Sequence, residues 1–451
     1  MRIFFIASFL LSSFVMLAQP KINSPYSRFG LGDMVNQNFA NSAAWGSQSA
    51  AFHDPFYLNI ENPASFAFLR STAFETGIST KYSQYKTATS SQDVWSGNLA
   101  YLALGFTLNS PINEVLDRAK SPWKYGMGLS LTPVSIVGYN VQTQDVIPDV
   151  GAVENTFEGS GGAYRLTWSS AAKYKNTAVG ANLGWVFGKS TYESNSVFSD
   201  DPTGSLDTFK QIFFQNNYRD DIAVNGLVWK LGVQHDFVLK YNENDQDVPE
   251  RWITVGIDGE GTHKLRTVTD QYRIRSRGIL ANGSYFDADT ILANTNQRQH
   301  LTLPSTLSVG IQYTRANKFR AGAQIQLENW SQYKNEVRPE ALRNTFAFSG
   351  GVEYIPDYIS YNRFFNRVRY RLGAYYRQDP RTISGDKIDD YGLTFGFGLP
   401  LILPRQQTSF VNAAVEIGRL GSGSLIEESY IKMTVGFTLN DNSWFYKRRF
   451  E

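Results

Sequence analysis

Side chains that could carry out chemistry are few in this chain. It has no cysteine, which excludes disulfides, thiolate metal sites and cysteine nucleophiles. The four histidines, His53, His235, His263 and His300, are isolated from one another and form no HExxH motif, so they predict no metal centre. No serine stands beside a base in a pattern typical of a hydrolase. We therefore expect a protein with no enzymatic activity and no cofactor.

Three arginines in one short segment are the best candidates for contacting a ligand. Arg369, Arg371 and Arg377 fall on the same face of a predicted strand, because every second side chain of a strand points to the same side. A guanidinium group recognises carboxylates well, so Arg369 and Arg371 are candidate contacts for an acidic headgroup. The alternative is that these arginines pair with acids of the chain itself, such as Glu353 or Glu416.

Two neighbouring segments indicate which kind of element carries such side chains. In residues 306–313, Leu307, Val309 and Ile311 alternate with small or polar residues, and residues 319–328 repeat the pattern after a short polar turn. Period-two alternation places successive side chains on opposite faces of a sheet. Each strand thus has an apolar face and a polar face, which suits a barrel wall between lipid and a lumen.

The same alternation begins near residue 72 and continues almost to the C-terminus. It predicts an all-β protein, a transmembrane antiparallel β-barrel of about 14 strands. A tandem array of soluble β-sandwiches also alternates, but it would show a domain boundary about every 100 residues, and no such boundary follows residue 72. The predicted strands span residues 72–86, 97–108, 124–143, 162–174, 177–198, 221–240, 252–275, 300–314, 320–333, 344–356, 368–379, 389–400, 408–419 and 428–439.

The composition agrees with this architecture. The chain has 25 Tyr and 31 Phe, which suit interfacial girdles, and 37 Gly, which suit crowded positions in a lumen. The formal charge of +2 argues against a nucleic-acid-binding protein. Tryptophans lie at predicted strand ends, where a girdle is expected: Trp95, Trp123, Trp252, Trp330 and Trp444.

The N-terminus predicts export. Arg2 precedes an apolar stretch that ends at Ala18, so residues 1–18 are expected to be a signal peptide. A single membrane anchor is the alternative, but about fifteen apolar residues are short for a helical span. Residues 19–71 do not alternate and predict a compact segment, and residues 72–451 predict the barrel with a short periplasmic tail. The expected location is the outer membrane of a Gram-negative bacterium.

One predicted strand breaks the alternation. Leu129 and Leu131 are in phase, but after Pro133 the apolar positions are Val134 and Ile136. A slip of one residue moves every later side chain to the opposite face, and proline cannot donate to the sheet ladder. We therefore predict a bulge or kink at Pro133 in the third strand. It either opens the wall locally or is a bulge without an opening, and spacing alone favours the second.

Three stretches together resemble the FadL-type long-chain fatty-acid and aromatic-hydrocarbon transporters of outer membranes. The first is Asn62-Pro63-Ala64, just before the first strand. The second runs from residue 303 (LPSTLSVG) to residue 333 (ENWSQY), and the third is residues 371–376 (RLGAYY). The likeness covers most of the chain after residue 18. Residues 24–33 (SPYSRFGLGD) are not a feature of the classical transporters, so the chain resembles a divergent subgroup.

The resemblance implies a fourteen-stranded barrel whose lumen is closed by an N-terminal hatch, residues 19–71. It implies passive transport of hydrophobic small molecules, fatty-acid-like or aromatic. The path would pass Asn62, Pro63 and Ala64 and leave sideways into outer-membrane lipid at the kink near Pro133. The barrel-assembly machinery is an expected partner. The same broad family includes barrel components of type IX secretion, so the alternative is a protein that binds or shuttles secreted proteins.

Overall fold

The computed structural model describes most of the chain in ten ranges. These are residues 23–109, 121–147, 151–198, 215–243, 248–276, 278–279, 285–383, 385–403, 407–421 and 426–441. The predicted signal peptide (1–18) and the predicted tail beyond residue 441 lie outside these ranges, so both stay predictions.

Fourteen antiparallel strands form one sheet, as the alternation predicts. Each strand contains a long stretch of alternating side chains, and each predicted strand overlaps one observed strand. Strands seven and eight are each interrupted once. The strands are β1 (Thr72–Lys86), β2 (Ser91–Thr107), β3 (Trp123–Ile147), β4 (Gly151–Tyr174), β5 (Thr177–Phe198), β6 (Gln215–Tyr241), β7 (Pro249–Glu260 and His263–Ser276), β8 (Asp289–Leu303 and Thr306–Arg315), β9 (Phe319–Glu328), β10 (Thr345–Tyr354), β11 (Arg369–Ile383), β12 (Asp386–Leu403), β13 (Gln407–Leu420) and β14 (Glu427–Asp441).

The sheet closes on itself because the first strand pairs with the last. The β1–β14 ladder runs from Thr72 opposite Asp441 to Lys86 opposite Glu427. Closure leaves no free outer edge at this seam, which a membrane-spanning sheet requires. We define the proximal end of the barrel as the end where Thr72 and Asp441 lie, and the distal end as the end near Lys86 and Glu427.

Apolar side chains point outward and polar side chains point into the lumen. In β8, Val309 and Ile311 are 43% and 52% exposed, whereas Ser308 and Gln312 are 3% and 2% exposed. This is the pattern of a wall with lipid outside. It confirms the predicted fold class, a closed fourteen-stranded outer-membrane barrel.

Several strand limits differ from the prediction. The predicted third strand ends at residue 143 and the predicted fourth strand begins at residue 162. The observed ladder between them continues to Ile147 opposite Gly151. Their polar ends extend the distal wall, so the predicted limits at residues 143 and 162 are wrong. The ninth strand ends at Glu328, and a 3-10 turn follows at Trp330–Gln332. Trp330 is buried among lumen residues and is not part of an outer girdle.

Irregular pieces precede and connect the strands. Residues 23–71 contain a 3-10 helix (Pro25–Arg28), a two-residue strand (Asp33–Met34), a short α-helix (Ala40–Ala43) and a second 3-10 helix (Pro63–Phe68). A further 3-10 helix spans Phe364–Arg367, and two-residue strands lie at Gly278–Ile279, Tyr285–Phe286 and Lys334–Asn335. In the described part of the chain, no helix is long and apolar enough to cross a membrane.

Candidate functional site

Residues 23–71, here named the N-terminal segment, lie inside the lumen against the barrel wall. Wall glycines allow this close contact. A Cβ atom placed on Gly256 would lie 1.9 Å from the carbonyl oxygen of Ala50, and one on Gly126 would lie 1.9 Å from that of Phe66. Neither position has room for a side chain, so glycine lets the backbone of the segment touch the backbone of the wall.

The N-terminal segment carries three acidic residues, and all three pair with cations of the wall. Asp33 lies 2.6 Å from the guanidinium of Arg381 on β11. Glu61 pairs with Lys230 on β6. The third, Asp54, is fully buried and is described below. Buried pairs of this kind add specificity to a docked arrangement, since removing one partner leaves an uncompensated charge.

Asp54 is the centre of the largest charged cluster. Its Oδ2 atom accepts hydrogen bonds from Arg320 at 2.6 Å and from Arg369 at 3.0 Å. Glu353 lies 3.6 Å from both arginines and accepts a bond from Arg371 at 2.7 Å. Strands β9, β10 and β11 thus supply the groups that hold one aspartate of the segment in place.

Nearby cations keep Asp54 and Glu61 ionised. Burial alone would raise the pKa of Asp54, but Arg369 and Arg320 outweigh burial and hold this pKa well below its usual range. Burial also opposes ionisation of Glu61, and Lys230 more than compensates, so the pKa of Glu61 is lowered. The nearby Tyr57 phenol has its pKa raised to about 12, chiefly by burial.

The Asn62-Pro63-Ala64 motif anchors the segment to the wall. The Asn62 side chain accepts a hydrogen bond from the backbone N–H of Ala64 at 3.1 Å, which caps the helix that Pro63 begins. Its amide nitrogen donates to the carbonyl oxygen of Ala50 in the segment at 2.6 Å, and to the carbonyl oxygens of Val233 on β6 and Ile257 on β7 at 3.4 Å each. The motif is buried and does not line the cavity described next. Its assignment to a substrate path stays a prediction.

A cavity of about 410 Å³ lies in the lumen between the N-terminal segment and the wall. Apolar side chains line one side, and Val134, Val186, Val228 and Trp330 form a buried cluster there. Charged side chains from the wall line another part, among them Lys81 on β1. The cavity can therefore accommodate a molecule with both an apolar and a polar portion.

The third strand contains the bulge that the sequence predicts at Pro133. Pro133 pairs with Tyr164 of β4 and Ser135 pairs with Ala163, so Val134 is the extra residue. From the bulge onward side chains on both faces are buried, Val134 and Ile136 together with Ser135 and Val137, so burial there does not test the predicted flip in phase. The facing residues Gly161 and Gly162 adopt φ values of +111° and +141°, which glycine tolerates and other residues rarely adopt.

The bulge separates β3 from β2 over the distal half of both strands. The β2–β3 ladder runs from Thr107 opposite Gly126 to Leu102 opposite Leu131 and then stops. Residues 91–101 of β2 have no second partner strand among the described residues. Ser96, Gly97, Asn98 and Ala100 of this stretch line the cavity. The cavity thus reaches a gap in the wall between β2 and β3.

The edge of β3 that no longer pairs with β2 is covered by the N-terminal segment. Asp33 pairs with Ile136 and Met34 pairs with Ser135. The backbone N–H of Ser24 donates to the carbonyl oxygen of Gly138 at 2.8 Å, beyond this short ladder. Residues 24–35, which include the SPYSRFGLGD stretch, therefore cover this edge of β3, with strand pairing at Asp33–Met34.

A model of the BamG family matches residues 1–451, the whole chain. The chain belongs to the BamG family. No curated protein matches the sequence.

Solved structures show that this BamG-family chain has the fold of FadL-type channels. A Pseudomonas aeruginosa FadL homologue matches with a TM-score of 0.56 at 14% identity, covering 90% of this chain and 99% of that one. The CymD monoaromatic hydrocarbon channel matches with a TM-score of 0.53 at 14% identity, covering 92% and 99%. The Ralstonia pickettii toluene transporter TbuX matches with a TM-score of 0.53 at 15% identity, covering 89% and 98%. The predicted resemblance and the outer-membrane location are thereby confirmed.

Two of the three predicted arginines of this BamG-family chain, Arg369 and Arg371, lie where the N-terminal segment contacts the wall. Arg369 pairs with Asp54 and Glu353, and Arg371 bonds to Glu353 and, at 2.8 Å, to Asn412. Both are buried, and neither lines the cavity. Of the two sequence-based interpretations, pairing with acids of the chain is the arrangement observed. A headgroup contact would require these pairs to break.

Sequence reasoning missed the residues that hold the N-terminal segment. Asp54 and Glu61 meet partners more than 160 positions away, with 266 and 169 residues of separation from Arg320 and Lys230. One signal was present: Asp33, Asp54 and Glu61 are the only acidic residues in positions 23–71.

Proposed function

We propose that this BamG-family barrel is a passive conduit for hydrophobic small molecules, fatty-acid-like or aromatic, that leave sideways into the bilayer. The observation that carries the proposal is the end of the β2–β3 ladder at Leu102 and Leu131, beside a cavity that reaches the unpaired part of β2. The fold neighbours named above, a hydrocarbon channel and a toluene transporter, support the substrate class.

On this proposal a molecule enters the cavity from the distal end, which faces outside. It then passes between β2 and the part of the N-terminal segment at Met34 to Asn38, which also lines the cavity. Bilayer lipid takes up the apolar part, so no energy input is required. The N-terminal segment does not need to leave the lumen, because the exit lies beside it.

A disulfide lock tests this route directly. A Cβ on Gly310 would lie 3.1 Å from the Cβ of Ala50, a little short of the roughly 3.5–4.5 Å of a disulfide, so a small shift of the segment allows the bond. The chain has no cysteine of its own, so Ala50→Cys with Gly310→Cys yields one defined pair. The hydrophobic dye N-phenyl-1-naphthylamine is added to proteoliposomes that contain the protein. We expect equal dye uptake in the oxidised and reduced states. A large increase on reduction would instead favour passage through the space that the segment occupies.

Closing the gap should stop uptake. Ser96→Trp and Asn98→Trp place a bulky ring on the cavity side of β2. Leu393→Trp is the matched control, since Leu393 is exposed on the outer face of β12. We expect the two gap variants to lose dye uptake and the control to keep it. Normal uptake in both gap variants would contradict lateral exit.

We propose as a second candidate a role in outer-membrane protein assembly, to which the family name BamG points. The favouring observation is an exposed apolar surface on the proximal loop between β10 and β11. Ile359, Tyr361 and Phe365 are 87%, 95% and 73% exposed. Exposed aromatic clusters of this kind mark interaction surfaces. The secretion-component alternative has no specific contact in its favour and stays a prediction.

The assembly role predicts that the loop is needed and the gap is not. In cells that depend on this protein, Tyr361→Ser with Phe365→Ser should reduce the steady-state level of other outer-membrane barrels. Asn362→Ser, an exposed polar position in the same loop, is the control. If Asn98→Trp lowers barrel levels as strongly as the loop variant, the loop-based role is contradicted.

A further inference from the structure

We infer that the cavity selects amphiphiles whose polar head carries no net negative charge. This inference rests on the proposed conduit function, because it concerns the molecule that occupies the same cavity. It narrows the substrate class away from free fatty acids. The starting observation is that the cavity has an apolar side and a strongly polar side.

The cations on the polar side are already neutralised by carboxylates. Lys432 lies 2.9 Å from Glu416, and Arg377 lies 2.9 Å from Asp390 and 3.7 Å from the same Glu416. The cations are partly exposed, whereas Glu416 behind them is almost fully buried. An incoming carboxylate would therefore compete with a carboxylate that is already in place.

Lys81, the third cation on the polar side, is also neutralised by a carboxylate. Lys81 on β1 pairs with the fully buried Glu428 of β14. Its ammonium group also lies 4.3 Å from the centroid of the Tyr430 ring. A charge-assisted bond and a cation–π contact thus both use this ammonium.

The remaining cations that line the cavity are paired as well. Arg165 lies 3.8 Å from Glu260, and Lys230 lies 2.8 Å from Asp258 besides its bond to Glu61. Arg381 binds two carboxylates at 2.6 Å each.

A further acid, Glu328, lies beside Trp330 on the apolar side and has no cation partner among the described residues. Glu328 accepts hydrogen bonds from Trp330, Gln326 and Thr345. Among the described lining residues, every cation is compensated by an acid.

The physical consequence is selection by head charge. In a partly desolvated cavity, like charges at a few ångströms repel strongly because screening by water is reduced. A carboxylate head would meet only cations that are already balanced, with the balancing carboxylates close behind them. A zwitterionic or uncharged head avoids this repulsion and can still bond to the exposed parts of Lys432 and Arg377. The apolar tail then lies toward the Val134 and Trp330 side.

Photoactivatable probes with one tail and two heads test the inference. A dodecyl amine oxide and dodecanoate, each with a diazirine near the end of the tail, are compared on full-length protein in nanodiscs. Labelled peptides are identified by mass spectrometry. We expect saturable labelling of the peptide that contains Trp330 by the amine oxide, and at least about tenfold weaker labelling by the carboxylate at equal free concentration, equivalent to about 1.4 kcal/mol.

Charge-removal variants separate head selection from general access. Glu416→Gln removes the carboxylate shared by Lys432 and Arg377, and Glu260→Gln removes the partner of Arg165. Either variant should increase carboxylate labelling by about tenfold while amine-oxide labelling changes less than twofold. Glu427→Gln, whose partner Arg419 does not line the cavity, is the control and should change neither.

The outcomes distinguish this inference from the conduit proposal. Equal or stronger labelling by the carboxylate in the unmodified protein would overturn the head-charge selection and leave the conduit intact. Labelling of the cavity by neither probe would overturn the conduit itself. If Glu416→Gln does not insert, the Glu260→Gln result and the two-probe comparison still decide the question.

Discussion

Neutralising Asp54 should loosen the N-terminal segment from the barrel wall. In Asp54→Asn the side chain keeps its size but loses the charge that faces Arg320 and Arg369. Both arginines would then share only Glu353, at 3.6 Å, with Arg371. Three buried guanidinium groups would depend on one carboxylate. Breaking a buried pair by removing one partner costs about 3–5 kcal/mol.

Hydrogen–deuterium exchange of the protein in nanodiscs measures this cost. Peptides covering residues 45–60 should exchange about 10²- to 10⁴-fold faster in Asp54→Asn, which corresponds to the same free energy. Peptides from β13 and β14 should be unchanged, because the barrel ladder does not involve Asp54. Heat-modifiable migration on a gel confirms that the barrel is inserted and folded.

A matched control removes an acid from an exposed pair. Glu243 is 82% exposed and lies 2.9 Å from Lys240. Such pairs contribute only about 0–1 kcal/mol, so Glu243→Gln should leave the exchange of residues 45–60 unchanged. Asp54→Asn combined with Arg369→Gln should recover part of the protection, because one uncompensated cation is removed. Exchange in Asp54→Asn within about threefold of the unmodified protein would refute the assigned role.

Two further predictions use the same exchange measurement. Gly256→Ala places a Cβ 1.9 Å from the carbonyl oxygen of Ala50 and should speed exchange of residues 45–60, whereas Gly97→Ala, with its nearest atom at 3.5 Å, should not. Because the pKa values of Asp54 and Glu61 are lowered in the folded protein, their stabilisation is present above the unfolded pKa of about 4 and is lost as pH falls through the folded values. Exchange corrected for intrinsic rate should therefore stay constant from about pH 8 to 5 and accelerate only below about pH 4; a loss of protection near neutral pH would contradict this assignment.

The strand architecture could be predicted because each strand carries its own signal. Alternation such as that of Val309 and Ile311 against Ser308 and Gln312 is visible in a few consecutive residues. Strand ends were less accurate, since the distal parts of β3 and β4 lose the alternating contrast while their backbone ladder continues to Ile147 and Gly151. Backbone pairing outside the apolar band has no comparable side-chain signature.

The bulge was predictable and its surroundings were not. Pro133 and the phase flip at Val134 identify the site from local sequence. The pairing of Asp33 and Met34 with Ile136 and Ser135 depends on backbone groups about 100 positions apart. Any residue with an N–H and a carbonyl could form that pairing, so the sequence contains no specific mark of it. The same holds for the ion pairs of Asp54 and Glu61, whose partners become neighbours only when the barrel closes.

The gap and the polar cavity both lie beside the bulge at Val134. In a bilayer, unpaired backbone groups are tolerated only where they are buried in protein or face water. The N-terminal segment satisfies the edge of β3, whereas in the described part of the chain residues 91–101 of β2 pair with β1 alone. The other edge of β2 can persist because Ser96 and Asn98 face the polar cavity. A hydrated edge favours a molecule that keeps a polar head in the lumen while its tail enters lipid. On the proposed function, an amphiphile therefore fits this exit better than a pure hydrocarbon does.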